Sequence, residues 1–456
     1  MAAGKKKNKV GKGKGIPYED EDQEVSRYEK GKSFERKVGD IFILMGFEVE
    51  YNREIAGNEI DVFIKEKRKI GKKYAYYICE CKDWGQKVGV DVVRDIFTLR
   101  ESVNEEFKSN GMGKYCEAII VSIKGFTEEA INYAESVGIT FYTYNQLLAE
   151  LMDFDTYLTV LIQNFEGSEL QRLYIQQDFI PERTLEEINS FSFVEKWLKE
   201  AGRKQFSLLG DYGTGKTSFA KVLAYKMAKA YKEEYEKSRI PFLVNLRDCK
   251  GAFSLKNLLH QQLINSNVKP ANEEIFLKLL TEGQILLIFD AFDEIANMSN
   301  AEIALSNLKQ LNQAVSGDAK VILTSRSNYF MDNDEVDRIL NLKKHGINFF
   351  FEKKNILLWE IYWEPEYEIV YLKEFSESQV REYLQKAMPD DWEAAYKKIR
   401  STYIYNLRDV FSRPLLLDVI VKTLPKVESR TKEFNVTNLY EASTQFWFER
   451  EDQKGA

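Results

Sequence analysis

The 456-residue sequence predicts a multi-domain α/β protein: a mixed sheet with flanking helices, then a parallel α/β sheet, then a helical domain. Three observations carry that expectation. The chain is too long for one hydrophobic core, and 44% hydrophobic residues are enough to build two or three. Residues 33–152 read as a helix, three short strands, and then helix and strand in alternation, which implies a mixed sheet covered by helices. Between 205 and 325, nearly continuous apolar strands alternate with helices, the pattern of a parallel sheet buried on both faces.

In chain order, residues 1–29 open with MAAGKKKNKVGKGKG and pass into the acidic YEDEDQE, and are expected as a charged, disordered tail. From Ser33, Phe34, Val38, Phe42 and Met45 recur at helical spacing until Gly46 ends the run. FEVEYNRE, EIDVFIKE and YAYYICECK follow as strands, the last two joined by the lysine-rich KRKIGKK. VGVDVVRDIFTLRESV is a helix, CEAIIVSI a strand, FTEEAINYAESVG a helix, ITFYTYN a strand and QLLAELM a helix, closing a domain over 30–155. Residues 156–190 are polar and irregular apart from a short helix near SELQRLYIQQ, and are expected as a linker. A second domain over 191–345 draws its strands from QFSLLG, IPFLVNL, QILLIFD and AKVILTS. A helical domain is expected over 346–435, and 436–456 begin a further, truncated region.

Composition excludes several classes. With a net charge of −7, any nucleic-acid-binding surface has to be local. No run of eighteen apolar residues occurs, and the lysine-rich start lacks the apolar stretch of a signal peptide. Four cysteines in so long a chain are no disulfide framework, and a reducing cytoplasm is the expected compartment. Cys79 and Cys81 stand one residue apart with no second pair downstream, the wrong spacing for zinc. Only His260 and His345 are present, which argues against a Ser-His-Asp triad. No repeat of solenoid period is found.

The strongest motif is GDYGTGKTS: Gly210, Asp211, Tyr212, Gly213, Thr214, Gly215, Lys216, Thr217 and Ser218. It follows an apolar strand and opens a helix. In that setting glycines let backbone N–H groups close around phosphates, Lys216 reaches the terminal ones, and the Thr217 hydroxyl is offered to Mg²⁺. QILLIFDAFDEI then places Asp290 where a Mg²⁺ ligand belongs, with Asp293 and Glu294 where an attacking water is polarised. KVILTSRSNYF puts Arg326 beyond the tip of another strand, where a cation can sense a γ-phosphate.

Taken with FSRPLLLDVI and NLYEASTQFWFERE, this set resembles the NACHT type of STAND nucleotide switches over roughly residues 170–450. The resemblance implies that Pro414 touches the nucleotide base. It also implies an ADP-bound resting monomer, an ATP-bound form that assembles, and a winged helix followed by a large sensor. In this sequence the chain ends within the expected start of the winged helix.

YICECKDW, Tyr77 to Trp84, raises a second chemistry. Period-two alternation puts Glu80 and Lys82 on one strand face, and Asp61 in GNEIDVF lies on the strand expected to pair with it. Two neighbouring carboxylates repel unless a divalent cation lies between them, and an adjacent ammonium can steady charge on a phosphate. Glu35, on the first helix, can add a further carboxylate. The path SFERKVGDIFILMGFEVE, GNEIDVF, YYICECKDW, VGVDVVRDI and AIIVSIKGFTEEAINYAESVGITFYTYNQLLAEL resembles the Mrr branch of PD-(D/E)xK restriction endonucleases. By that resemblance Asp61 and Glu80 are the metal-binding acids, Lys82 the catalytic lysine and Glu35 the acid of the first helix, although many relatives carry Gln at the position of Glu80. Together the two resemblances imply an ATP-gated, Mg²⁺-dependent nuclease acting on double-stranded DNA in anti-phage defence. It would be active as a dimer or tetramer and released by a phage-derived trigger. The alternatives are a nucleotide-controlled DNA-binding scaffold whose nuclease fold does not cut, and an ATP-driven restriction enzyme.

Overall fold

The computed structural model describes residues 19–67, 74–110, 115–249, 251–297, 301–326, 367–401, 411–430 and 444. The chain divides into two units, Met1–Leu151 and Met152–Ala456.

In the first unit, α1 (Glu19–Leu44) leads into β1 (Glu48–Ile55), β2 (Asn58–Lys67) and β3 (Tyr74–Lys82). Next come α2 (Val90–Ser109), β4 (Cys116–Ser122), α3 (Glu128–Val137), β5 (Thr140–Thr143) and α4 (Tyr144–Ala149). The sheet runs β1-β2-β3-β4-β5; the first three strands are antiparallel, and β3, β4 and β5 are parallel. One core gathers Phe63, Ile78, Val93, Ile96, Val103 and Ile120. Helix α1 packs on β1, β2 and β3 with Phe34, Val38, Ile41 and Phe42 buried. It starts earlier than expected, inside the segment assigned to a disordered tail. Its first turns are the acidic EDEDQE, and negative charge is favoured at a helix N-terminus.

The second unit opens with α5 (Asp155–Phe165), α6 (Glu169–Leu173), β6 (Asp178–Pro181), β7 (Ile188–Asn189) and α7 (Ser190–Lys199). It continues through β8 (Gln205–Leu209), α8 (Lys216–Glu233), β9 (Ile240–Asn245), α9 (Leu255–Asn265), α10 (Glu273–Thr281), β10 (Ile285–Asp290), α11 (Phe292–Asn297), α12 (Ala301–Asn312) and β11 (Lys320–Ser325). Strand β12 (Tyr367–Leu372) and helices α13 (Glu377–Ala387), α14 (Trp392–Ser401) and α15 (Pro414–Arg430) complete it. The sheet order is β7-β6-β12-β8-β11-β10-β9, parallel from β12 to β9. Strands β8, β10 and β11 are buried along their whole length, as their mostly apolar sequences lead one to expect, and the polar residues Gln205, Ser207, Lys320, Thr324 and Ser325 are buried with them.

Two boundaries differ from the sequence expectation. The linker placed at 156–190 is folded: Leu158, Phe165, Leu173, Ile175 and Phe179 are buried, and β6 pairs antiparallel with β12. The Tyr157 hydroxyl accepts the Leu243 N–H at 2.9 Å, and Phe165 stacks on Tyr225 at 4.2 Å. The segment reads as polar because only one face of each short element is apolar. Likewise β12 falls in the range assigned to the helical domain, yet it pairs with β8 and belongs to the parallel sheet. A separate cluster of Phe375, Tyr383, Leu384, Leu417 and Ile420 takes in Leu173 and Ile175 and forms the core of the helical part. The winged-helix expectation at 436–456 lies outside the described residues, apart from residue 444.

Candidate functional site

The first candidate centre lies where β2 and β3 run side by side. Val62 pairs with Cys79, so one step further along the ladder Asp61 and Glu80 stand opposite each other. The Asp61 carboxylate accepts the Cys81 N–H at 2.9 Å. Glu80 forms an ion pair with Lys82 on the same face of β3. Lys82 also lies over the ring of Trp84, 5.2 Å from its centroid. From α1, Glu35 reaches in at only 8% exposure and accepts from Lys32 at 3.2 Å; Lys32 also pairs with Glu59.

The electrostatics of this group follow from burying three carboxylates together. Burial, then the charge of Glu80, pushes the Asp61 carboxyl up to about 6; Glu35 adds to the rise, and the Cys81 N–H and Lys82 offset it. Burial also raises Glu35, restrained by Lys32 and reinforced by Glu59 and Glu80. Burial draws Lys82 down, but the charge and hydrogen bond of Glu80, with Asp61 behind, carry it above its ordinary value. Lys82 is therefore a firm cation. Burial lifts the Cys81 thiol well above the thiol range, which favours its protonated form.

The negative charge of Glu80 that raises the proton affinity of Asp61 favours a divalent cation there in the same way, and the two carboxylates fit the role of cation ligands. Among the described residues no group of three or more His, Cys, Asp or Glu side chains is spaced to hold a metal. Two carboxylates supplemented by oxygens of the substrate phosphate are nevertheless an ordinary Mg²⁺ environment.

The second centre is a cleft of about 420 Å³ in the second unit. Gly213 and Gly215 turn through positive φ (+81° and +104°), which exposes successive N–H groups. A side chain at either turn would crowd its neighbours: a Cβ on Gly213 would lie 3.2 Å from Leu415, and one on Gly215 would lie 2.8 Å from Gln177 Oε1. Thr214 is buried, and its hydroxyl donates to the Asp211 carbonyl at 2.9 Å. Lys216 donates to the carbonyls of Gly210 and Asp211 at 2.6 and 3.0 Å, and burial draws it down to about 8. Thr217 and Ser218 line the cleft, and Tyr212 sits at its mouth under the Arg326 guanidinium, 5.0 Å from the ring centroid.

Behind the far wall, Asp290 is buried and does not itself line the cleft: it accepts the hydroxyl of Thr324, which does, at 2.6 Å, and Thr324 in turn accepts the Ala291 N–H. Asp293 pairs with Arg326 at 2.7 Å and Glu294 with Arg247 at 2.8 Å. Both acids line the cleft. Pro414 approaches the loop at Gly215 while the Leu415 N–H donates to the Gly213 carbonyl at 3.1 Å. Glycine amides and a lysine facing two buried acids suit a Mg²⁺-bearing polyphosphate, with Thr217 and Asp290 as the candidate cation ligands.

Comparison with known families agrees with both geometries. Residues 27–152 match the restriction endonuclease model of the Mrr catalytic type, and residues 204–391 match the NACHT domain model. The chain joins a restriction endonuclease domain to a NACHT domain. An uncharacterized WD repeat-containing protein of Nostoc sp. is 27% identical over 383 residues. That match covers 78% of this chain and 23% of the relative, so the chain spans less than a quarter of its length. Among solved structures, a repair endonuclease from Pyrococcus abyssi is 19% identical, over 28% of this chain and 49% of its own, with a TM-score of 0.20. PCH-2 of C. elegans is 14% identical, over 57% and 68%, with a TM-score of 0.28.

The structure adds residues to the NACHT cleft that the sequence did not reveal. Gln177, fully buried, donates through Nε2 to the Thr214 carbonyl at 2.9 Å and to the Lys373 carbonyl at 2.7 Å, which ties the phosphate loop to the end of β12. Arg413 pairs with Asp211 at 2.8 Å and with Glu374 at 2.9 Å. Leu173, Tyr174, Ile175 and Phe375 give the cleft an apolar end beyond Pro414. For Gln177 and the apolar end the available signal was the short helix near SELQRLYIQQ, which leads directly into them.

Proposed function

We propose that this chain is an ATP-gated, Mg²⁺-dependent endonuclease that cuts double-stranded DNA as an anti-phage effector. The observation that carries the reading is the convergence of Asp61, Glu80, Glu35 and Lys82 in a restriction endonuclease domain, on a chain that also builds a phosphate cradle. Held by Asp61 and Glu80, Mg²⁺ would supply charge neutralisation at the scissile phosphate. Lys82 is kept protonated by its surroundings and donates to a phosphate oxygen as negative charge develops there. In the NACHT domain, Lys216 exchanges its two loop carbonyls for phosphate oxygens, while Asp293 and Glu294 orient water from positions held by Arg326 and Arg247. Because Leu415 and Arg413 grip the same loop, the terminal phosphate is felt by α15, and that contact is the proposed start of the switch. Assembly into dimers or tetramers would bring nuclease domains together on one duplex. A repeat region of the kind named in the Nostoc relative would serve as sensor of a phage-derived trigger.

The test is plasmid cleavage with Mg²⁺, with and without ATP, using lysate of phage-infected cells as the source of trigger. Lys82→Ala should abolish cutting and keep assembly; Lys216→Ala should lose both. Full-rate cutting by Lys216→Ala sinks the gating, and cutting by Lys82→Ala sinks the catalytic assignment. A second reading, a nucleotide-controlled scaffold that holds DNA without cutting it, draws on one observation: Glu80 and Lys82 neutralise each other. Under that reading Mg²⁺ fails to compete for Glu80, and no plasmid is cut under any condition.

A further inference from the structure

Beside the candidate nuclease centre lies a surface with no part in the chemistry above. The chain leaves β3 at Lys82 and β4 at Ser122, which are register partners, and the Ile123 N–H donates to the Lys82 carbonyl at 3.2 Å. The two segments that follow stay together: Val88 bridges Phe126, and the Val88 N–H donates to the Gly125 carbonyl at 2.9 Å. They form one double-loop rim at the end of the sheet. Its outer positions are Trp84 and Ile123, each 41% exposed, together with exposed Asp83, Lys87 and Lys124.

Trp84 and Ile123 stand on two segments that the backbone joins into one rim, so they belong to one partly exposed surface and are not scattered apolar residues. Here they flank the reactive lysine, since the Lys82 ammonium lies over the Trp84 ring. Lys87 and Lys124 outnumber Asp83 on the same rim, so the surface favours an anion with flat apolar faces. Nucleic acid has that chemistry: phosphates for the lysines and bases for the indole.

We infer that Trp84 and Ile123 form an apolar wedge that meets the bases of the strand being cut, while Lys87 and Lys124 hold its backbone. This rests on the nuclease reading and names the side chains that seat its substrate. Trp84 is a positioning residue: its ring fixes where the phosphate lies relative to Lys82 and takes no part in bond breaking.

The experiment uses the full chain and a short fluorescent duplex, with Ca²⁺ in place of Mg²⁺ for binding and Mg²⁺ for cutting. Trp84→Ala should weaken duplex binding on the order of tenfold, as loss of one stacked base does, and Trp84→Phe should restore most of it. The difference in emission between wild type and Trp84→Phe isolates this indole from the other tryptophans, and bound duplex should quench it. Unchanged far-ultraviolet circular dichroism and an unchanged first unfolding transition in both variants report that the fold of the first unit, which carries Trp84, is kept. Wild-type duplex affinity in Trp84→Ala, or indole emission indifferent to bound DNA, overturns the inference. If plasmid is cut equally by wild type and Trp84→Ala, the wedge fails and the nuclease reading stands. If the duplex binds through Trp84 and is never cut, the wedge stands and the nuclease reading falls.

Discussion

Lys216 shows what one residue contributes when its surroundings are set in advance. Two loop carbonyls hold the ammonium, and burial brings it down to about 8. Phosphate prefers the protonated lysine, so nucleotide binding raises this pKa. Below pH 8 the lysine is already charged and affinity should be flat. Above pH 8 a proton must be taken up on binding, and affinity should fall by up to about tenfold per pH unit. Titration with a fluorescent ADP from pH 7 to beyond 9 checks this, and a flat profile contradicts it. Gln177→Ala removes the donor from the buried Thr214 carbonyl and from the part-buried Lys373 carbonyl, at a cost of about 1–3 kcal/mol. The expected result is weaker nucleotide binding, seen by calorimetry, with Gln177→Glu no better because a carboxylate cannot donate. The phosphate loop was legible in sequence because its backbone dictates glycine at fixed spacing. Gln177 and Arg413 were not, since Lys373 and Asp211, the carbonyl and carboxylate they engage, lie 196 and 202 positions away.

At the scale of elements, strands were legible where burial is two-sided, as in β8 and β10. The short strands β6 and β7 were not, because four residues and two carry no period, and the pairing of β6 is set by β12 far downstream. The phosphate loop meets α15 at Gly213, whose carbonyl accepts the Leu415 N–H. Gly213→Ala combines a strained positive φ with a Cβ 3.2 Å from Leu415, so the loop is strained and Leu415 has to give way slightly. Nucleotide affinity should drop at least as far as in Gln177→Ala, with duplex binding by the nuclease domain intact; unaltered nucleotide binding would show that α15 simply yields.

For the molecule as a whole, the proposed switch makes a kinetic prediction. If assembly brings active sites together, the cutting rate should rise more steeply than linearly with protein concentration in ATP and stay negligible in ADP. A rate linear in concentration in both nucleotides contradicts assembly as the gate. The two-domain order was readable because each domain carries a motif whose chemistry needs its own fold. The boundary between them was not, because short elements that bury one apolar face, with Leu158, Phe165 and Phe179 inside, are polar in overall composition. Residues 152–189 supply β6 at the edge of β12 and carry Gln177 to the phosphate loop. Anyone grafting a different effector onto this switch must therefore splice near residue 151. A splice near 190, where the sequence looked like a natural joint, would strip the β12 edge bare and hand the recombinant protein an aggregation-prone strand.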